Sequence, residues 1–256
     1  MLESLIDDRT KILLVNNPSN PCGSVYSKEH LAALAAIALK YKLVILADEI
    51  YGNITFKGFD FHPMAAITTE VPVITVSGIA KEFLVPGWRV GWIIVHDTDD
   101  ILKEVKAGMI RLSQLTIGAN VPIQGAIPSI LTPTRGSADE AALKAFHTAT
   151  MKQLEDNAMF TVEQLSKVKG LNVVIPQGAM YVMVGVDVET AFDPASGMKN
   201  DVDFAQKLLL EENVFVLPGK CFGVDNFFRV VFTAPKDKLA EAYARIALFC
   251  ERHARK

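Results

Sequence analysis

An apolar run, KILLV at Lys11–Val15, is followed by a helical stripe and then by a second apolar run, KLVILADE at Lys42–Glu49. The stripe covers Lys28–Lys40, with Leu31, Leu34, Ala35 and Ala38 on one side and Ser27 placed to cap the first turn. Strand, helix and strand in that order predict a parallel, right-handed α/β unit. Val73–Val76 and Val90–Val95 read as two further strands, both buried, and a mostly helical stretch then runs to about Leu131. TPTRGSADE, Thr132–Glu140, breaks the pattern with Pro133, Gly136 and Ser137. Beyond it lie a long helix over Glu140–Lys169 and the apolar segments LNVVIP, GAMYVMVGV, VFVLP and FFRVVF. A helix over Asp201–Glu211 and another from Lys236 are interleaved with them. The expected organisation is a partial large α/β domain over residues 1–136, with a mostly parallel sheet and helices on both faces. A smaller α+β domain follows over residues 137–256.

The bulk numbers exclude several function classes. Half of the 256 residues are hydrophobic, enough for a sizeable core. A net charge of −3 with 21% charged residues points to neither nucleic acid nor an acidic membrane as partner. No apolar run reaches the roughly 18 residues of a membrane span. Three widely spaced cysteines, Cys22, Cys221 and Cys250, suggest neither a disulfide framework nor a zinc site, and fit a reducing, cytoplasmic setting. The scattered histidines read as surface or packing residues, so no metal site is expected. The N-terminus is acidic early and lacks a cleavage-type region, so it reads as an internal start or a truncation rather than a signal peptide. Mitochondrial targeting stays open on that ground.

Sites in α/β folds gather at strand ends and in the loops after them. After the first strand comes NNPSNPCG, Asn16–Gly23, where two prolines stiffen the turn that carries Asn20. An ordinary Pro-rich turn would look the same. After the second strand, ADEIY places Asp48 and Tyr51 three residues apart. A carboxylate there requires a cationic or hydrogen-bonding partner, unless it merely caps a helix or turn. Between the third and fourth strands stand Lys81 and Arg89, in VSGIAKEFLVPGWRVGW. Cations between buried strands require a partner. A desolvated lysine beside a second cation is a nucleophile that forms Schiff bases with carbonyls, and an arginine clamps phosphate in two-point geometry. Amine, phosphate clamp, carboxylate, phenol and amide together are the set that pyridoxal phosphate requires.

With NNPSNPCGSVYS, LADEIYG, AKEFLVPGWRVGW, PQGAMYVMVG and FFRVV in this order, the chain resembles the fold-type I, class I aminotransferases, and within them the tyrosine-transaminating branch. The resemblance implies pyridoxal 5'-phosphate as cofactor. It makes Lys81 the Schiff-base lysine and Arg89 the phosphate arginine. It sets Asp48 against the pyridine nitrogen, and Tyr51 and Asn20 on the ring oxygen. Asn20 also borders the substrate, and Arg229 takes the substrate α-carboxylate. The expected reaction moves the amino group of an aromatic L-amino acid, tyrosine first, to 2-oxoglutarate, and the expected assembly is a homodimer. The resemblance leaves open another pyridoxal phosphate enzyme of the same fold, such as a carbon–sulfur lyase or a broader aminotransferase, or a non-catalytic remnant.

Two departures accompany the resemblance. Related enzymes often carry a phosphate-binding serine three residues before the lysine; here Gly78 stands there, and Ser77 is one step further. Family members are also considerably longer on the N-terminal side. The resemblance assigns to that part a Gly-rich phosphate loop, an aromatic stacked on the cofactor and residues lent across the dimer. Without those strands the large sheet is expected to keep an open edge.

Overall fold

A computed structural model describes residues 1–115 and 118–255, and these form two compact units. The N-terminal unit comprises Met1–Pro18 and Val25–Thr148; the C-terminal unit takes Ser19–Ser24 and the chain from Ala149 onward. The break expected at 136/137 lies at the turn before a long helix, and the division at 148/149 falls within that helix.

The N-terminal unit holds a four-stranded sheet in the order β1 (Ile12–Asn16), β2 (Val44–Asp48), β3 (Val73–Gly78), β4 (Gly91–His96). The first two pairings are parallel and the last is antiparallel. Helix α1 spans Lys28–Lys40, and the Ser27 side chain accepts from the His30 N–H at its start. Its buried Leu31, Ala35 and Ala38 follow helical spacing and pack with Val15, Ile45, Ala47 and Val73, which share one face of the sheet by strand alternation. The opposite face carries Ile12 and Leu14, which stay exposed. Two one-turn helices, α2 (Met64–Ile67) and α3 (Ile79–Glu82), follow β2 and β3.

The expectation of a buried fourth strand is corrected. β4 starts at Gly91 and buries none of its residues; Ile93 is 55% exposed. It is the last strand of its sheet, with β3 as its one neighbour. Helices α4 (Lys103–Leu115) and α5 (Val121–Leu131) occupy the expected helical stretch, also without buried residues; Thr116 and Ile117, within that stretch, lie outside the described residues.

The long helix α6 (Ala138–Leu165) leads into the C-terminal unit. There an antiparallel sheet runs in the order β5 (Leu171–Val173), β6 (Tyr181–Val186), β8 (Phe227–Val231), β7 (Leu217–Pro218). Of the segment VFVLP only the last two residues are paired in the sheet, Leu217 opposite Arg229 and Pro218 opposite Phe228. Helices α7 (Val188–Ala191), α8 (Asp201–Glu212) and α9 (Lys236–Arg252) complete the unit. Its core is aromatic: Phe204 stacks on Phe228 with ring centres 5.2 Å apart and meets Phe192 and Phe249 edge-on. No helix among the described residues is long and apolar enough to cross a membrane.

Candidate active site

In the N-terminal unit the candidate residues collect where the parallel strands end, as expected of an open α/β sheet. Asp48 is the last residue of β2, in register with Asn16 at the end of β1 and Val76 on β3. Its Oδ2 accepts from the Asn16 Nδ2 at 2.9 Å, and its Oδ1 from the Ile50 N–H at 3.4 Å. Both donors are neutral, so neither cancels the carboxylate's charge. Tyr51 is buried in the turn after β2. The Lys81 ammonium, carried on α3 directly after β3, lies 5.9 Å from the centre of the Tyr51 ring.

Glu49, next to Asp48, anchors the same turn. Its Oε1 accepts from the Met64 N–H at 2.7 Å. Burial pushes the Glu49 carboxyl above its usual range, and the neighbouring Asp48 charge acts in the same direction against the lowering effect of that N–H.

Arg89 and Ser77 are placed differently from this group. Arg89 follows the Pro86–Trp88 turn with φ +55°, in the left-handed region, and its exposed guanidinium donates to the Pro86 carbonyl at 3.0 Å. It thus stands between β3 and β4, two residues before β4 begins. Alternation along β3 puts Ser77 with Thr75, on the sheet face opposite Asp48, whereas Gly78 shares the Asp48 face. Ser77 borders a cavity of about 190 Å³ with Glu49, Thr75, Glu82 and Trp92. The glycine has a physical cause: a Cβ at position 78 would stand 2.8 Å from the Val90 carbonyl oxygen and 2.9 Å from the Gly91 Cα.

In the C-terminal unit Arg229, on β8, is stacked between two rings, 4.4 Å from the centre of Tyr181 and 5.0 Å from that of Phe222. Its Nη1 donates to the Asn20 Oδ1 at 2.7 Å. Its Nε–H is buried with no acceptor, an orphaned donor on a charged group. The loop that presents Asn20 is packed tightly at Gly23, whose φ is +70° and whose Cβ would stand 2.8 Å from the carbonyls of Gly178 and Tyr181.

The chain as a whole has known relatives. Residues 1–246 match the family model for "Aminotransferase class I and II". The chain belongs to that aminotransferase family. A tyrosine aminotransferase of Dictyostelium discoideum is 47% identical over all of this chain and 60% of its own length. One from Mus musculus is 46% identical over 98% of this chain and 53% of its own. Among solved structures, the tyrosine aminotransferase of Leishmania infantum matches with a TM-score of 0.89 at 35% identity, over 99% of this chain and 60% of that one. The chain therefore spans a little over half the length of these relatives. Its fold is that of the fold-type I aminotransferases, and aminotransferases of this family use pyridoxal 5'-phosphate.

Of the aminotransferase residues expected from sequence, the structure joins Lys81 to Tyr51, and Asn20 to Arg229. Sequence reasoning passed over Asn16, the partner of Asp48, and Tyr181 and Phe222, which flank Arg229. A signal for Asn16 was present. Each of the two apolar runs ends in a polar residue, and aligning them at that end sets Asn16 opposite Asp48.

Proposed function

We propose that this chain carries the cofactor- and carboxylate-binding parts of a pyridoxal-phosphate-dependent aminotransferase. The reaction proposed passes the amino group of an aromatic L-amino acid, tyrosine foremost, to 2-oxoglutarate, giving 4-hydroxyphenylpyruvate and glutamate. The observation that carries this reading is the Lys81 ammonium over the Tyr51 ring, in the turn that Asp48 begins. The choice of tyrosine draws on the Dictyostelium, mouse and Leishmania relatives, each named a tyrosine aminotransferase.

The donor set fits the cofactor. Asp48 would face a protonated ring nitrogen without a competing cation, because Asn16 and Ile50 offer it only neutral donors. Tyr51 would supply a hydrogen bond for the ring oxygen, a role that the family resemblance gives to Asn20 as well. The Arg89 guanidinium has donors beyond the one spent on Pro86 and would take the phosphate. Ser77, on the other face, has no part in this assignment. When bound, the cofactor supplies a carbonyl that an amine can join and a ring that draws electrons from the substrate Cα. Lys81 would provide that amine, and its neutral Nζ would act as the general base for the proton on the substrate Cα. Arg229, held between Tyr181 and Phe222, orients the substrate by its α-carboxylate, which also satisfies the orphaned Nε–H. The same reading takes the protein as a homodimer in a reducing cytoplasm, in keeping with three unpaired cysteines.

The test begins with borohydride reduction of the chain in pyridoxal phosphate, followed by peptide mass spectrometry. The adduct is expected on Lys81 and is expected to vanish in Lys81→Ala; an adduct that persists on another lysine in that variant sinks the assignment. Glutamate formation from 2-oxoglutarate is then compared with tyrosine and with aspartate as donor. Preference for aspartate would overturn the aromatic reading. Because the chain spans 53–60% of these relatives, slower turnover is expected from its 256 residues alone than from a longer homologue. Equal rates would show that the additional length is dispensable for the chemistry.

A further inference from the structure

Asn16 has no role in the reading above, yet it makes the one side-chain hydrogen bond that Asp48 receives among the described residues. The two residues end adjacent parallel strands in register, so their side chains stand on the same face of the sheet. The bond is 2.9 Å long and falls on Oδ2, while Oδ1 has only the long contact from the Ile50 N–H. A carboxylate at a strand end turns freely about its last torsion unless a neighbour fixes it. The Asn16 amide fixes that plane. Being neutral, it does so without forming an ion pair, which an arginine or lysine at this position would form.

We infer that Asn16 is a positioning residue: it orients the Asp48 carboxylate toward the protonated ring nitrogen of the cofactor and leaves its charge unspent. This rests on the reading that Asp48 takes that nitrogen.

The experiment is a double-mutant cycle on pyridoxal phosphate affinity, measured by absorbance titration to millimolar cofactor. Wild type, Asn16→Ala, Asp48→Asn and the double variant are compared, each also with the 1-deaza analogue, which has carbon in place of the ring nitrogen. Asn16→Ala is expected to weaken pyridoxal phosphate binding about tenfold. In the Asp48→Asn background the same change is expected to cost less than about twofold, because the partner it acts through is gone. The deaza analogue is expected to bind wild type and Asn16→Ala alike, a result that loss of structure would not produce. Asn16→Ser, which keeps a donor, is expected to recover part of the affinity and replaces the alanine variant if that one fails to fold. Unchanged affinity in Asn16→Ala, or equal losses for cofactor and analogue, overturns the inference while leaving the Asp48 reading intact. Wild-type affinity in Asp48→Asn removes the Asp48 reading and the inference with it, as does a wild-type chain that fails to bind cofactor at millimolar concentration.

Discussion

In the C-terminal unit all six residues of β6 are buried, whereas β4 of the N-terminal unit buries none. The difference is one of neighbours. β6 lies between β5 and β8 in a unit whose phenylalanines close over one another. β4 ends its sheet, and α1 covers only the face that holds Val15, Ile45 and Val73. Parallel sheets ordinarily have both faces covered. Here the less covered face carries exposed Ile12 and Leu14 and, on the same alternation, Asn16, Asp48 and Gly78. One unit spends its apolar residues on its own core. The other keeps some of its apolar surface beside the candidate site residues.

The strongest test of that contrast is Phe204→Ala. Phe204 has no exposed surface and contacts three other phenylalanine rings. Its removal is expected to cost about 3–5 kcal/mol, the range for deleting a large buried aromatic. Urea unfolding followed by far-UV circular dichroism would read the loss. A cost below about 1 kcal/mol would mean that the aromatic cluster is not the core it appears geometrically to be. Ile93→Ser in β4 is the counterpart. Since Ile93 is more than half exposed, stability is expected to stay within about 0.5 kcal/mol, with less self-association in light scattering. A cost comparable to that of Phe204→Ala would break the comparison, because it would show β4 covered in solution.

What sequence could reveal follows the same division between local and non-local causes. Helix α1 and its Ser27 cap were legible because spacing and capping are local. The parallel pairing of β1 with β2 followed from the length and type of the connection. The exposure of β4 was not legible: WIIV is equally apolar whether or not something lies against it, and periodicity says nothing about the neighbour. Lys81, Asp48 and Arg229 were named as candidates from the family resemblance of the segments that carry them. The bond between Asn20 and Arg229 was not legible, since those residues are 209 positions apart and no local rule joins them. The backbone conformation of Arg89 was likewise not legible. Its left-handed φ ends the Pro86–Trp88 turn before the strand begins, a conformation that a non-glycine residue adopts only rarely.

The smallest effect concerns the boundary between structure and chemistry in the N-terminal unit. Glu49 is an acid whose folded-state titration is raised, first by burial and then by the Asp48 charge. For such a group the folded chain holds its proton longer than the unfolded chain does. Unfolding therefore releases a proton in the window from the ordinary 4.5 up to the raised value, and stability falls as pH rises through it. Glu49→Gln keeps an oxygen to accept from the Met64 N–H but removes the charge beside Asp48. Its thermal midpoint is expected to match wild type at pH 4 and to exceed it at pH 7 by about 1–2 °C, a small gain because the group is partly solvated. A lower midpoint at pH 7 but not at pH 4 would mean that the Glu49 charge stabilises the turn, and that the site residues are held by electrostatics rather than in spite of it. If the gain at pH 7 disappears in the Asp48→Asn background, the two carboxylates are coupled. The N-terminal unit then gives up a little stability to keep a free negative charge at the end of β2, a cost with no counterpart in the neutral aromatic core around Phe204.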